Sequence, residues 1–162
     1  MVYPASSMTA HVSDVPNHQV GRTTSFSMRG TVAMAGMLGY ELDLSKMTDD
    51  ETKCAKEQIE LYKNIREVIT FGDLYRLSET DRGNYYAWMY ISENKNKAVV
   101  SAVVNRGVPN PPRVWIKLKG LDENAVYMMD GKKYFGSNLM NAGIEISLSK
   151  DYNNYMYVLE KV

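Results

Sequence analysis

The hydrophobic period of this chain changes near residue 75, and that change constrains the fold more than any other feature. Beyond it, segments of strand period follow one another at turn-sized intervals. Tyr85 to Ser92 reads YYAWMYIS, the polar stretch ENKNK follows, and Ala98 to Val104 reads AVVSAVV. Two β-rich runs joined by a short polar loop are the pattern of an antiparallel hairpin. NRGVPNPP, Asn105 to Pro112, reads as a crossing loop, because its prolines have no N–H to donate to a ladder. In RVWIKLK, Arg113 to Lys119, alternation sends Val114, Ile116 and Leu118 to a core and Trp115, Lys117 and Lys119 away from it. AVYMM, a turn at Asp130-Gly131, KKYFG, a segment Leu139 to Gly143, IEISL and YMYVLEK complete the series. Short strands at this spacing predict an antiparallel β-sandwich over residues 76–162.

Residues 1–75 read as loop and helix. Thr48 to Glu51, TDDE, is a capping box: the Thr48 hydroxyl accepts from the Glu51 amide and the Glu51 carboxylate accepts from the Thr48 amide. Three acidic residues in the first turn also complement the helix dipole. Ala55, Ile59, Tyr62, Ile65 and Ile69 then trace an apolar stripe, opposite Lys53, Lys56, Glu60, Lys63 and Glu67, until Phe71 and Gly72 stop the pattern. A weaker helix is expected from Thr24 to Met34. GYELDL, Gly39 to Leu44, reads as a short extended link, and AHVS as a strand closed by Pro16. No strand here resembles those of the second half, which predicts two architectural units.

Composition removes several classes of function. The 162 residues carry a formal net charge of zero, with Lys and Arg scattered singly, so the basic footprint of a nucleic-acid binder is missing. No apolar run approaches the roughly 18 to 20 residues that span a bilayer, and the first residues lack the pattern of a secretory signal. Cys54 is the one cysteine, which leaves no disulfide framework. A soluble, cytoplasmic chain with no nucleic-acid or membrane partner is the expectation. The eleven methionines and twelve tyrosines are read as core fillers and as residues of strands with one wet face.

Polar chemistry concentrates in MTAHVSDVPNHQVGRTTSF, Met8 to Phe26. His11 and His18 could share a metal, but nothing nearby supplies a third ligand. Ser13, His11 and Asp14 lack the strand-turn-helix elbow of a hydrolase triad. Asp14, Glu41, Asp43 and Asp73 are available carboxylates, yet no local pattern isolates two of them as an acid/base pair. RGTVAMAG has too few glycines to cradle a phosphate. What remains is a polar cluster beside a strand end, whose Asn, His, Gln and Arg side chains can each bond a sugar hydroxyl.

HVSDVPNHQVGR, His11 to Arg22, resembles glycoside hydrolase family 36, the bacterial α-galactosidases. RGTVAMAG, GYELDL, the helix EQIELYKNIREVITFGDLYRL, AWMYIS, NPP, LKGLD, DGKKYFG and LMNAGI extend the resemblance, in family order, over nearly the whole chain. It implies an α+β fragment: the last strand and helices of a (β/α)8 barrel in residues 1–75, with Met8 to Ser13 as the strand and Thr48 to Thr70 as the closing helix, then a C-terminal antiparallel β-sandwich in residues 76–162.

The resemblance also implies hydrolysis of terminal α-galactosides, such as melibiose and raffinose, by an intact enzyme. It calls for no cofactor and no metal. Both catalytic aspartates are expected on earlier barrel strands, so this chain holds neither and is expected to be inactive alone. His11, Ser13, Asn17, His18 and Arg22 become candidates for the rim of the sugar pocket, since barrel enzymes build their sites at the carboxyl ends of the strands. A strand without its barrel neighbours is expected to rearrange, dock elsewhere or self-associate, the last giving a homo-oligomer. The alternative is a non-catalytic β-sandwich module for carbohydrate binding or oligomerisation, with Trp88 and Trp115 as stacking candidates.

Overall fold

A computed structural model describes residues 3–78 and 83–162. They form two compact units, and the chain passes from the first to the second between Thr70 and Phe71. The architecture is α+β with mostly antiparallel pairing.

In the first unit, strand β1 (Thr9–Ser13) leads through helix α1 (Phe26–Ala33) to strand β2 (Met37–Glu41), and the long helix α2 (Asp49–Phe71) follows. β1 and β2 pair in parallel, with Thr9 opposite Met37 and Ser13 opposite Glu41. GYELDL, expected as a link, therefore contributes to a second strand, and this half of the chain holds two where one was expected. A parallel pair needs a crossover, and α1 supplies it. Ser25 caps α1 by accepting from the Met28 amide at 3.1 Å. The capping box of α2 forms as read: Glu51 N donates to Thr48 Oγ1 at 3.2 Å, and Thr48 N donates to Glu51 Oε2 at 3.1 Å.

Packing corrects the register of the α2 stripe. Ile65, Val68 and Ile69 are buried, but Ile59 is exposed and its polar neighbour Gln58 is 6% exposed. Gln58 lies against α1, where an ideal Cβ on Gly30 would fall 2.2 Å from its Nε2. That approach requires a residue without a side chain, which explains a glycine inside a helix it otherwise weakens. The amide is satisfied where it lies: Nε2 donates to the Phe26 carbonyl at 3.2 Å, and Oε1 accepts from the Tyr40 hydroxyl at 2.9 Å. The core of this unit is Val12, Phe26 and Ala33, with Ala10, Leu38, Tyr40, Leu42 and Met47 packed around them.

The second unit is built on a six-stranded sheet, ordered β3-β4-β5-β10-β7-β8, and a separate two-stranded pair. Its strands are β3 (Asp73–Arg76), β4 (Tyr85–Ile91), β5 (Lys97–Val104), β6 (Val114–Ile116), β7 (Val126–Met129), β8 (Lys132–Phe135), β9 (Ile144–Ile146) and β10 (Asn154–Lys161). The expected hairpin is β4–β5, with Tyr85 opposite Val104 and Ile91 opposite Ala98. β7 and β8 turn at Asp130 and Gly131, whose φ angles of 49° and 74° are the left-handed pair that a two-residue hairpin loop demands.

β6 pairs with β9. Ile116 and Leu118 are buried while Trp115 is 48% exposed, as alternation requires. Two segments differ from expectation. Asp73–Arg76, directly after α2, is a strand, and the stretch expected to be extended around Leu139 belongs to a short helix, α3 (Gly136–Asn141). Tyr127, fully buried, fixes one end of the sheet: its hydroxyl accepts from the Asp122 amide at 3.0 Å and donates to the Lys95 carbonyl at 2.9 Å.

Candidate functional site

Alternation divides the parallel pair into two unlike faces. Ala10 and Val12 of β1, with Leu38 and Tyr40 of β2, pack on the helix side. Successive side chains of a strand point to opposite faces, so Thr9, His11 and Ser13 of β1 share the other one with Met37 and Glu41 of β2, and Gly39 lies between those two. Thr9, His11 and Glu41 are exposed there, and Ser13 is half-buried. Parallel sheets are ordinarily apolar on both faces. Here the second face is mostly polar, with the exposed Met37 at its edge.

His11 meets Glu41 on that face, with Nε2 2.9 Å from Oε2. Ser13 ends β1, and its carbonyl accepts from Nη1 of Arg29. The loop that follows is closed on itself. Asn17 Oδ1 accepts from the amides of Gln19 and Val20, both at 3.1 Å, and Asn17 N donates to the Arg22 carbonyl at 2.9 Å. His18 and Arg22 are exposed on this loop. Of the five residues expected at the rim, the structure thus joins Asn17 and Arg22 through one turn, bonds Ser13 to Arg29 and sets His11 against Glu41.

Sequence reasoning missed Arg29, and it weighed Glu41 only as one of several carboxylates, without its contact to His11. Arg29 sits one turn into α1 and is 11% exposed. Its guanidinium lies 5.0 Å from the centre of the Phe26 ring, and Nη2 is 3.6 Å from Oε1 of Glu51. One side chain therefore ties the carboxyl end of β1 to the first turns of both helices. Its Nε is buried with no partner among the described residues.

A cleft of about 340 Å³ opens at the carboxyl ends of β1 and β2, lined by Asp14, Phe26, Arg29, Asp43, Lys46 and Glu51 among others. Bonds from the Ser45 hydroxyl and amide, and from Lys46, hold the Asp43 carboxyl below its ordinary range. None of His11, Ser13, Asn17, His18 and Arg22 lines this cleft. Among the described residues, no three His, Cys, Asp or Glu side chains converge on a metal position. No described helix is long and apolar enough to cross a membrane.

Comparison with known proteins assigns relatives to both units. Residues 1–72 match the Melibiase family, and residues 85–159 match the glycosyl hydrolase family 36 C-terminal domain. The chain is 43% identical over 164 residues to alpha-galactosidase AgaA of Geobacillus stearothermophilus, covering 100% of itself and 22% of that protein. It is 41% identical to the bifunctional alpha-galactosidase/sucrose kinase AgaSK of Mediterraneibacter gnavus, covering 17% of it. Among solved structures, alpha-galactosidase AgaB of G. stearothermophilus superposes with a TM-score of 0.95 at 44% identity, over 99% of this chain and 22% of that one. A variant of AgaA in complex with raffinose superposes with a TM-score of 0.95 at 43% identity, over 99% of this chain and 23% of that one. The chain thus spans about a fifth of the length of these relatives.

Proposed function

The chain belongs to glycosyl hydrolase family 36, and from that premise we propose that it is a segment of an enzyme hydrolysing terminal α-galactosides such as melibiose and raffinose, contributing one wall of the sugar site. The family supports the reaction class, and raffinose bound to a 43% identical relative supports the substrate class. The observation that carries the reading is the cluster of Thr9, His11, Ser13 and Glu41 on the second face of the parallel pair. Complete (β/α)8 barrels place their sites at the carboxyl ends of such strands. Residues 1–75 are then the last part of a barrel. β1–α1–β2–α2 repeats the strand-helix alternation of that architecture, and among the described residues each strand has a strand partner on one side only, which leaves an edge for a further parallel neighbour from the same enzyme. A homo-oligomer would rest on those same edges. Residues 76–162 form the antiparallel domain that follows.

Within this reading His11, Ser13, Asn17, His18 and Arg22 shape the rim of the pocket. The two catalytic carboxylates, which a retaining glycosidase holds about 5 to 5.5 Å apart, come from the part of the enzyme that this chain does not span. The chain supplies hydrogen-bonding groups and a scaffold but neither nucleophile nor acid. The test is release of nitrophenol from nitrophenyl α-galactoside. The whole enzyme carrying this segment turns the substrate over and the chain alone does not. Turnover by the chain alone overturns the assignment of the carboxylates.

A further inference from the structure

We propose that Glu41 is a positioning residue of the galactoside site, acting through the imidazole of His11; the inference rests on the reading above that the polar face of β1 and β2 lines that site. The register sets up the pair. His11 lies opposite Gly39, and Ser13 lies opposite Glu41, so Glu41 is the diagonal neighbour of His11 on the same face. At Gly39 there is no side chain to separate them, and a Cβ built there would stand 4.0 Å from the His11 Cβ. The imidazole leans across that space until Nε2 is 2.9 Å from Glu41 Oε2.

Stability does not account for this arrangement. The His11 side chain is 50% exposed and that of Glu41 76%, and polar contacts so open to water contribute little to folding. Its chemical consequence is more specific. In the neutral ring, a carboxylate oxygen facing Nε2 favours the tautomer that carries its proton there, which leaves Nδ1 as an acceptor for a sugar hydroxyl. Without Glu41 the ring is free to turn and to exchange tautomers, and the acceptor is lost from its place. Glu41 thereby controls a contact that it does not itself make.

The experiment uses the whole enzyme carrying this segment, with Glu41→Ala, His11→Ala and the double variant, assayed on nitrophenyl α-galactoside. Each single variant is expected to lose about ten- to a hundredfold in kcat/KM, as misplaced contacts do, with the loss carried by KM. The double variant is expected to lose no more than either single one, because both remove the same contact. Glu41→Asp, which keeps the carboxylate, is expected to recover part of the loss. Nitrogen-15 spectra are expected to show the Nε2-protonated tautomer at His11 in the parent and a tautomer mixture in Glu41→Ala. Parent-like kcat/KM in either single variant, or a double variant that loses the product of the two, overturns the inference. If the parent enzyme itself does not hydrolyse α-galactosides, the functional reading fails separately, and an unchanged His11 tautomer in Glu41→Ala overturns the positioning role.

Discussion

The contact between Gly30 and Gln58 yields a quantitative prediction about how α1 and α2 are held together. Alanine at residue 30 brings a Cβ within 2.2 to 2.4 Å of the Nε2, Cδ and Oε1 atoms of Gln58. Those atoms end a flexible side chain, but bonds to the Phe26 carbonyl and from the Tyr40 hydroxyl pin them. Moving the amide aside breaks both bonds, each worth about 1 kcal/mol net and about 1 to 3 when the partner stays buried and unpaired. Against this, replacing glycine inside a helix gains about 1 kcal/mol.

Gly30→Ala alone is therefore expected to destabilise by about 2 kcal/mol, and Gln58→Ala alone by about 3, through lost bonds and lost packing. In the double variant the clash is gone while the helix gain remains. Its cost should fall to about 2 kcal/mol, so the two substitutions are strongly non-additive. Urea unfolding followed by circular dichroism at 222 nm measures this in the first unit, because α1 and α2 hold most of the helix in the chain. Costs that add to within about 0.5 kcal/mol would refute the reasoning, since independent sites behave that way.

Two other perturbations address the site and the sheet. Arg29→Met removes the guanidinium from the Ser13 carbonyl and from Glu51, and the same unfolding measurement should register a loss of about 2 kcal/mol; a change below about 0.5 would contradict its role as a tie. In the second unit the Lys161 ammonium, then the Asn124 amide, hold the Asp122 carboxyl below its ordinary range, and Asp122 pushes Lys161 up. A lowered carboxyl contributes stability above its unfolded value that disappears as pH falls through its folded value, and a raised lysine contributes stability that disappears as pH rises through its own. Asp122→Asn should thus lower the urea midpoint, read by the fluorescence of Trp88 and Trp115, near neutrality and leave it unchanged in acid well below 3.8. A difference that persists in acid would mean that the pair is not its source.

Local chemistry was legible in the sequence, and features that depend on distant partners were less so. The TDDE capping box, the β4–β5 hairpin and the Asp130-Gly131 turn are specified by residues a few positions apart, and each formed as read. Strand β2 was read as a link because its partner is a parallel strand reached only through α1, and six residues of alternation do not reveal a distant pairing. Ile59 was placed inside and Gln58 was left out of the buried stripe because helical period alone ignores the close approach that Gly30 permits. Glu41 was visible as an acidic position in GYELDL, but the register that sets it against His11 is not written in either strand. Arg29 gave no local signal at all, since its partners Ser13 and Glu51 belong to other elements.

The central claim is that this chain supplies one wall of an α-galactoside site that the rest of a larger enzyme completes. A segment exchange tests it most directly: the portion of G. stearothermophilus AgaA that this chain matches at 43% identity is replaced by residues 1–162. The account predicts a folded chimera that releases nitrophenol from nitrophenyl α-galactoside, while the chain alone releases none. A chimera that melts like the parent yet is inert, or a chain that turns the substrate over unaided, would contradict it.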